Sequence, residues 1–183
     1  MFRNILISLF FLGFITCQNP FSKNGNGDAS AIPTIKSCKV FSAGFVALNP
    51  NDSGQLIQKF NFNKKGFVNE LVRYGLNGET IEKFDITGNN SLFPLPGNRQ
   101  YIDTVLTTFE MDSLGGISQK EVKKYNKDGL LIEYSYFEGN DKLVKKNTYQ
   151  YNEFGLIIKD IYWDVELSIP QQVIRYEYEY FKE

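Results

Sequence analysis

The sequence predicts an all-β body: an antiparallel β-meander forming a curled single sheet or partly open barrel, with little helix. Three observations predict it. An aromatic residue recurs four positions before a glycine, apolar β-favouring residues follow those glycines, and few windows show the 3.6-residue period of a helix. Consecutive frames start mostly about 10–14 residues apart, which suits one strand plus a turn and leaves no room for crossover helices. At 183 residues, with 42% hydrophobic and 22% charged side chains, the chain has the profile of one globular domain.

The first segment is an address. After Met1-Phe2-Arg3-Asn4 an apolar run extends from Ile5 to Ile15, and Thr16-Cys17 follow. One positive charge ahead of about 11 apolar residues is the pattern of a signal peptide over residues 1–16, well short of the roughly 20 needed to span a bilayer. Cys17, directly after this run, resembles the invariant cysteine of the bacterial lipobox, over residues 1–17. That resemblance implies a diacylglycerylated, palmitate-type anchor on the Cys17 thiol and cleavage just before it. Phe14 stands where the family prefers Leu, and Thr16 where it prefers Gly, Ala or Ser. Ordinary signal-peptidase cleavage is the alternative, and Phe14 or Ile15 at its −3 place serves it poorly. Gln18 is not the acidic residue that retains such proteins at the inner membrane, so the resemblance implies the outer membrane of a bacterial envelope.

Residues 17–37 read as a tether. Residues 18–37 are rich in Asn, Gly, Ser and Pro and carry no apolar period. The folded body is expected from Cys38 to Glu183, opening with Cys38-Lys39-Val40-Phe41, where Cys38 reads as a buried small apolar residue. A disulfide from Cys38 to Cys17 would require that lipidation fails.

Within the body the frame Phe62-Asn63-Lys64-Lys65-Gly66 recurs as Tyr74 to Gly78, Phe84 to Gly88, Tyr125 to Gly129 and Tyr151 to Gly155. Weaker copies run from Met111 to Gly115 and from Phe137 to Asp141. The chemistry is that of a hairpin turn: Asn or Asp accepts backbone hydrogen bonds, two polar residues fill a type I turn, and Gly takes the left-handed position of a G1 bulge. The frame resembles the YD-repeat family of rearrangement-hot-spot type, whose repeats read Tyr-Asp-x-x-Gly before an apolar strand, over roughly residues 60–160. Asn63, Asn126 and Asn152 stand in the place of the family's Asp, which Asp85 and Asp112 match. The resemblance implies a small curled sheet.

Residues 89–100 interrupt the repeat with two prolines and read as a loop or sheet-edge excursion, making Phe93, Arg99 and Tyr101 candidates for a contact surface; their plainer role is to cap one end of the core. Residues 167–172 read as a second connection. In the last segment Tyr176, Tyr178 and Tyr180 alternate with Arg175, Glu177 and Glu179, which gives one aromatic face and adds three tyrosines to the candidate contact residues. Packing across strands is the competing reading for all the aromatics. The late acidic residues, Asp160 and Asp164 among them, read as the solvated face of an antiparallel sheet.

The chemistry excluded is broad. With no histidine the chain has no Ser-His or Cys-His dyad and no His-ligated metal. Twenty basic and twenty-one acidic residues give a net charge of −1, which offers nucleic acid no cationic patch. No phosphate-binding glycine motif or calcium-loop spacing is present, so the expectation is no cofactor and no metal. The sequence therefore points to a membrane-tethered, non-catalytic module that contacts an envelope protein or glycan. The alternatives are a periplasmic carrier or sensor for an apolar ligand and a carboxylate-based hydrolase of envelope polymers.

Overall fold

The computed structural model describes residues 33–46, 49–50, 54–86, 104–139 and 141–182. These residues form eleven strands and no helix. The strands are β1 (Ile35–Val46), β2 (Asn49–Pro50), β3 (Gln55–Phe62), β4 (Val68–Tyr74), β5 (Thr80–Asp85), β6 (Val105–Met111), β7 (Ile117–Tyr125), β8 (Leu131–Glu138), β9 (Lys142–Tyr151), β10 (Ile157–Asp164) and β11 (Ile169–Tyr180). All belong to one antiparallel sheet in the order β5-β4-β3-β1-β11-β10-β9-β8-β7-β6, with the short β2 paired to β1 off that path.

The order is that of an up-and-down meander with its chain ends in the middle. From β1 the chain steps outward through β3 and β4 to the edge strand β5. It resumes at the opposite edge with β6 and steps inward to β11, which closes against β1. The edges β5 and β6 do not pair, so the sheet stays open and is not a barrel.

Four hairpin turns are built alike, and the sequence explains why. At the β7–β8 turn the Asn126 side-chain oxygen accepts from the backbone N–H of Asp128 at 3.0 Å and of Leu130 at 2.9 Å. The Gly129 N–H then closes onto the Asn126 carbonyl at 2.9 Å, with Gly129 at φ 72°. Only glycine takes that backbone conformation without steric cost. Asn63, Asp112 and Asn152 repeat the bonding before Gly66, Gly115 and Gly155. The β4–β5 turn departs from it, because Gly75 stands where the others have Asn or Asp. There Gly78 still has positive φ, and the Glu79 carboxylate reaches back to accept from the Asn77 N–H at 3.0 Å.

The core lies on the face of the sheet that carries Cys38, Val40 and Phe60, where β1 meets β3 and β11. Phe62 and Val68 from the β3–β4 turn and Leu156 from the β9–β10 turn complete it. Cys38 is fully buried, and desolvation pushes its thiol far above the ordinary cysteine range.

Two boundaries differ from the sequence expectation. The sheet begins before Cys38, because β1 starts at Ile35, whose side chain joins the core, and Phe181 N–H bonds to the Thr34 carbonyl. Residues 169–172 are strand, not connection: the β10–β11 turn occupies only residues 165–168, with Ser168 at φ 55° and the Asp164 carboxylate accepting from the N–H groups of Glu166 and Leu167. Pro170 is accommodated because the register shifts between Tyr162 and Trp163, and such an irregularity is where a strand tolerates a residue with no N–H.

Candidate functional site: a tyrosine-lined face with a buried carboxyl

Side chains directly opposite in antiparallel strands lie on the same face, so the register assembles a surface from β7 to β11. One row runs Gln172, Tyr162, Asn147, Tyr134 and Lys123 across five strands. The neighbouring row on this face holds Ile174, Asp160 and Tyr149, and the row beyond Tyr134 holds Lys145, Tyr136 and Glu121. The same face continues onto β1 and β3 as the core, through Tyr176 opposite Val40 and Tyr178 opposite Cys38. One side of the face is thus apolar and the other is tyrosine and charge.

Asp160 and Asn147 sit in the middle of that second half, 8% and 3% exposed. The Asn147 Nδ2 donates to the Asp160 Oδ1 at 3.0 Å. The Asn147 Oδ1 is buried and accepts no hydrogen bond. Burial raises the Asp160 pKa, because a carboxylate loses its hydration there; the bonds from Asn147 and Tyr162 and the charge of Lys145 offset only part of this. Burial likewise pushes up the phenols of Tyr149 and Tyr162, and the nearby Asp160 adds to it.

Tyr134 is the most elaborated of the tyrosines. Its hydroxyl donates to Glu121 at 3.0 Å, and Lys123 donates to the other Glu121 oxygen at 3.0 Å. The ammonium groups of Lys123 and Lys145 lie 5.9 and 5.7 Å from the ring centre, within cation–π range. Partial burial, with Glu121 beside it, pushes the Tyr134 phenol up to about 12, and the Lys123 contact holds Glu121 below the usual carboxylate range.

At its surface this arrangement offers the partly exposed ring of Tyr134 and the Lys123–Glu121 pair, with the Asn147–Asp160 pair buried beside them. Asp160 stands apart from Glu121 and Asp164 on this face. Glu121 lies three strands from Asp160, about 14 Å away at the usual strand spacing, and Asp164 lies about 13 Å along the strand. Paired glycosidase carboxyls stand roughly 5–9.5 Å apart. Among the described residues no group of three His, Cys, Asp or Glu side chains could hold a metal ion.

The sequence candidates fall into three groups. Gly66, Gly78, Gly115, Gly129 and Gly155 all occupy hairpin turns at positive φ. Tyr176, Tyr178 and Tyr180 are partly buried and packed against the core, and the Tyr178 hydroxyl is spent on the Ile157 carbonyl at 2.7 Å. Cys17, Gly88, Phe93, Arg99 and Tyr101 lie outside the described residues.

Asp160 corrects the solvated-face assignment made for the late acidic residues: it is buried, on the tyrosine side of β10. The signal that marks this surface in the sequence is tyrosine at period two in β8, β9 and β11: Tyr134 and Tyr136, then Tyr149 and Tyr151, then Tyr176, Tyr178 and Tyr180. Asn147 carries no such signal.

Fold and face together define a single-sheet antiparallel β-meander with a polar aromatic surface. No protein-family model matches the chain, and no curated protein matches it.

Proposed function

We propose that the chain is an exported lipoprotein, anchored through Cys17 to the bacterial outer membrane, whose sheet is a non-catalytic binding module of the cell envelope, and that the tyrosine-lined face of β8–β10 takes a glycan. The observation that carries the reading is the buried pair at its centre. A carboxyl of raised pKa and a carboxamide oxygen with no donor both weigh against the fold, and such costs cluster at functional sites, here directly beneath the Tyr134 and Lys123 surface. Sugars carry donor and acceptor hydroxyls around an apolar ring face, so they suit the Tyr134 ring and the Lys123–Glu121 pair, which the buried Asn147–Asp160 pair underlies. A carrier of apolar ligands would want apolar lining at this point, where the chain has Asn147, Asp160 and the Lys123–Glu121 pair.

Two experiments test the two halves of this reading. Fractionation of host cells should find the wild-type chain with the outer membrane and Cys17→Ala released from it; a variant that stays fully membrane-bound refutes the anchor. Co-sedimentation of the full chain with purified peptidoglycan and with outer-membrane polysaccharide should show binding that falls at least tenfold in Asn147→Leu or Tyr134→Ala. Binding to neither polymer, with an envelope protein captured instead, would overturn the glycan assignment.

A further inference from the structure

The two free edges of the sheet are built differently. In an antiparallel strand successive backbone groups point alternately toward each neighbour. Thr104 and Asp112 bracket β6 and both bond inward to β7: Tyr125 N–H donates to the Thr104 carbonyl and Asp112 N–H donates to the Gly116 carbonyl. The alternation therefore turns the N–H and C=O groups of Val105, Thr107, Phe109 and Met111 outward. These four residues also share one side of the sheet, and Val105, Phe109 and Met111 are 59%, 52% and 70% exposed. Among the described residues no strand pairs with this edge.

On β5 the corresponding outward residues include Lys83 and Asp85, and Ile86 N–H bonds inward to Asn69. Charge beside the free backbone groups is how edge strands are kept from pairing. On β6 the only charge is Glu110, which turns its backbone inward, and there is neither Lys nor Pro.

We propose that β6 is the docking edge for β6 of a second copy of this chain, paired antiparallel about a twofold axis through Thr108. This inference is independent of the glycan reading. The strand is self-complementary in that register. Val105 faces Met111 of the other copy and Thr107 faces Phe109, so all four outward residues meet outward residues and about eight interchain hydrogen bonds form. The two apolar stripes join into one band, with Thr107 against Phe109 a favourable β-branched–aromatic pair. Glu110 comes opposite Leu106 of the other copy rather than its own counterpart. Lys123 lies beside Leu106 on the same face, so the carboxylate approaches positive charge. Shifting the register by two residues leaves an outward residue unpaired at each end.

The register makes the test specific. On the axis two Thr108 residues stand about 4.5 Å apart between Cα atoms, within disulfide reach. The full chain carrying Cys17→Ala and Thr108→Cys, with Cys38 buried, should oxidise to a covalent dimer at least tenfold faster than the same chain with Thr80→Cys on the β5 edge. Adding Thr107→Pro, which removes one outward N–H at an edge position that tolerates it, should abolish the cross-link. Phe109→Lys should do the same without a backbone change. Before oxidation, sedimentation at tens of micromolar should give twice the chain mass for the Thr108→Cys chain and the chain mass for Phe109→Lys. Equal cross-linking at the two edges, cross-linking unaffected by both second substitutions, or a monomer at all concentrations overturns the proposal.

Discussion

Replacing Asp160 with Asn separates the cost of the site from its use. The substitution keeps the size of the side chain and the oxygen that accepts from Asn147 Nδ2, removes a charge from a position 8% exposed, and replaces the second carboxyl oxygen, weakening the bond from Tyr162. Removing the desolvated charge outweighs the Tyr162 bond, itself worth about 1 kcal/mol, so the fold should be stabilised by about 1 kcal/mol at pH 7. Most substitutions of a buried polar residue go the other way.

The pH dependence fixes the cause. The Asp160 pKa is raised in the fold, so the folded state holds its proton more tightly than the unfolded chain; the associated stability is complete below the ordinary aspartate value of about 3.9 and is lost as pH rises through the folded value. Glu70, Glu133 and Glu179 have lowered values and act in the opposite sense, contributing stability above the ordinary carboxylate range that is lost on acidification. The wild-type curve is therefore a sum. The difference between Asp160→Asn and wild type isolates the one group: it should be small near pH 3.5 and grow to its full value at neutral pH. Urea denaturation of both chains, followed by tyrosine and Trp163 fluorescence from pH 3.5 to 8, measures it. A destabilised variant at pH 7, or a difference that does not change with pH, would refute the account of this pair.

Three further outcomes are expected. Gly129→Val should cost more than about 1 kcal/mol in a denaturant titration, since a β-branched residue is strained at φ 72°, and an unchanged midpoint would contradict the turn. Asn152→Ala removes two side-chain-to-backbone bonds, at 3.0 and 2.9 Å, and should cost about 1–2 kcal/mol by the same titration, whereas Asn77→Ala, in the turn held by Glu79, should cost less. Cys38 should resist alkylation in the native chain at pH 8 and react once the chain is unfolded in urea; rapid native labelling, read by mass spectrometry, would contradict its burial.

The turns were the most legible part of the fold, because their chemistry is local. An Asn or Asp, two polar residues and a glycine specify a backbone path within five residues, so the positions of the strand ends follow from the sequence. The partners of the strands are another matter. Nothing local in Cys38-Lys39-Val40 says that it lies opposite Tyr176-Glu177-Tyr178, and this pairing sets the last tyrosines against the core. Asp160 is hidden from sequence for a related reason: in alternation Asp160 and Tyr162 look like the polar side of β10, and only the register against β9, which brings Asn147 and Tyr149 beside them, buries Asp160. Pro170 works in the other direction, since a proline marks a loop unless a bulge accommodates it, here with Gln171 as the extra residue of β11.

The pairing of the first strand with the last also sets how the chain must assemble. β1, β3, β4 and β5 form one run of neighbours, and β6 to β11 form another, each made by hairpins that close over short separations and need nothing from the other half. Among the described strands only the β1–β11 seam is non-local, joining residues 35 and 180, and it cannot form until residue 180 has been synthesised. The core residues Cys38 and Val40 wait on that event, so the late step in folding is a docking of two preformed meanders. A chain cut between residues 86 and 104 would carry one complete meander on each piece. The two fragments would then have a single strand-to-strand seam through which to find each other, the seam that the intact chain closes within itself.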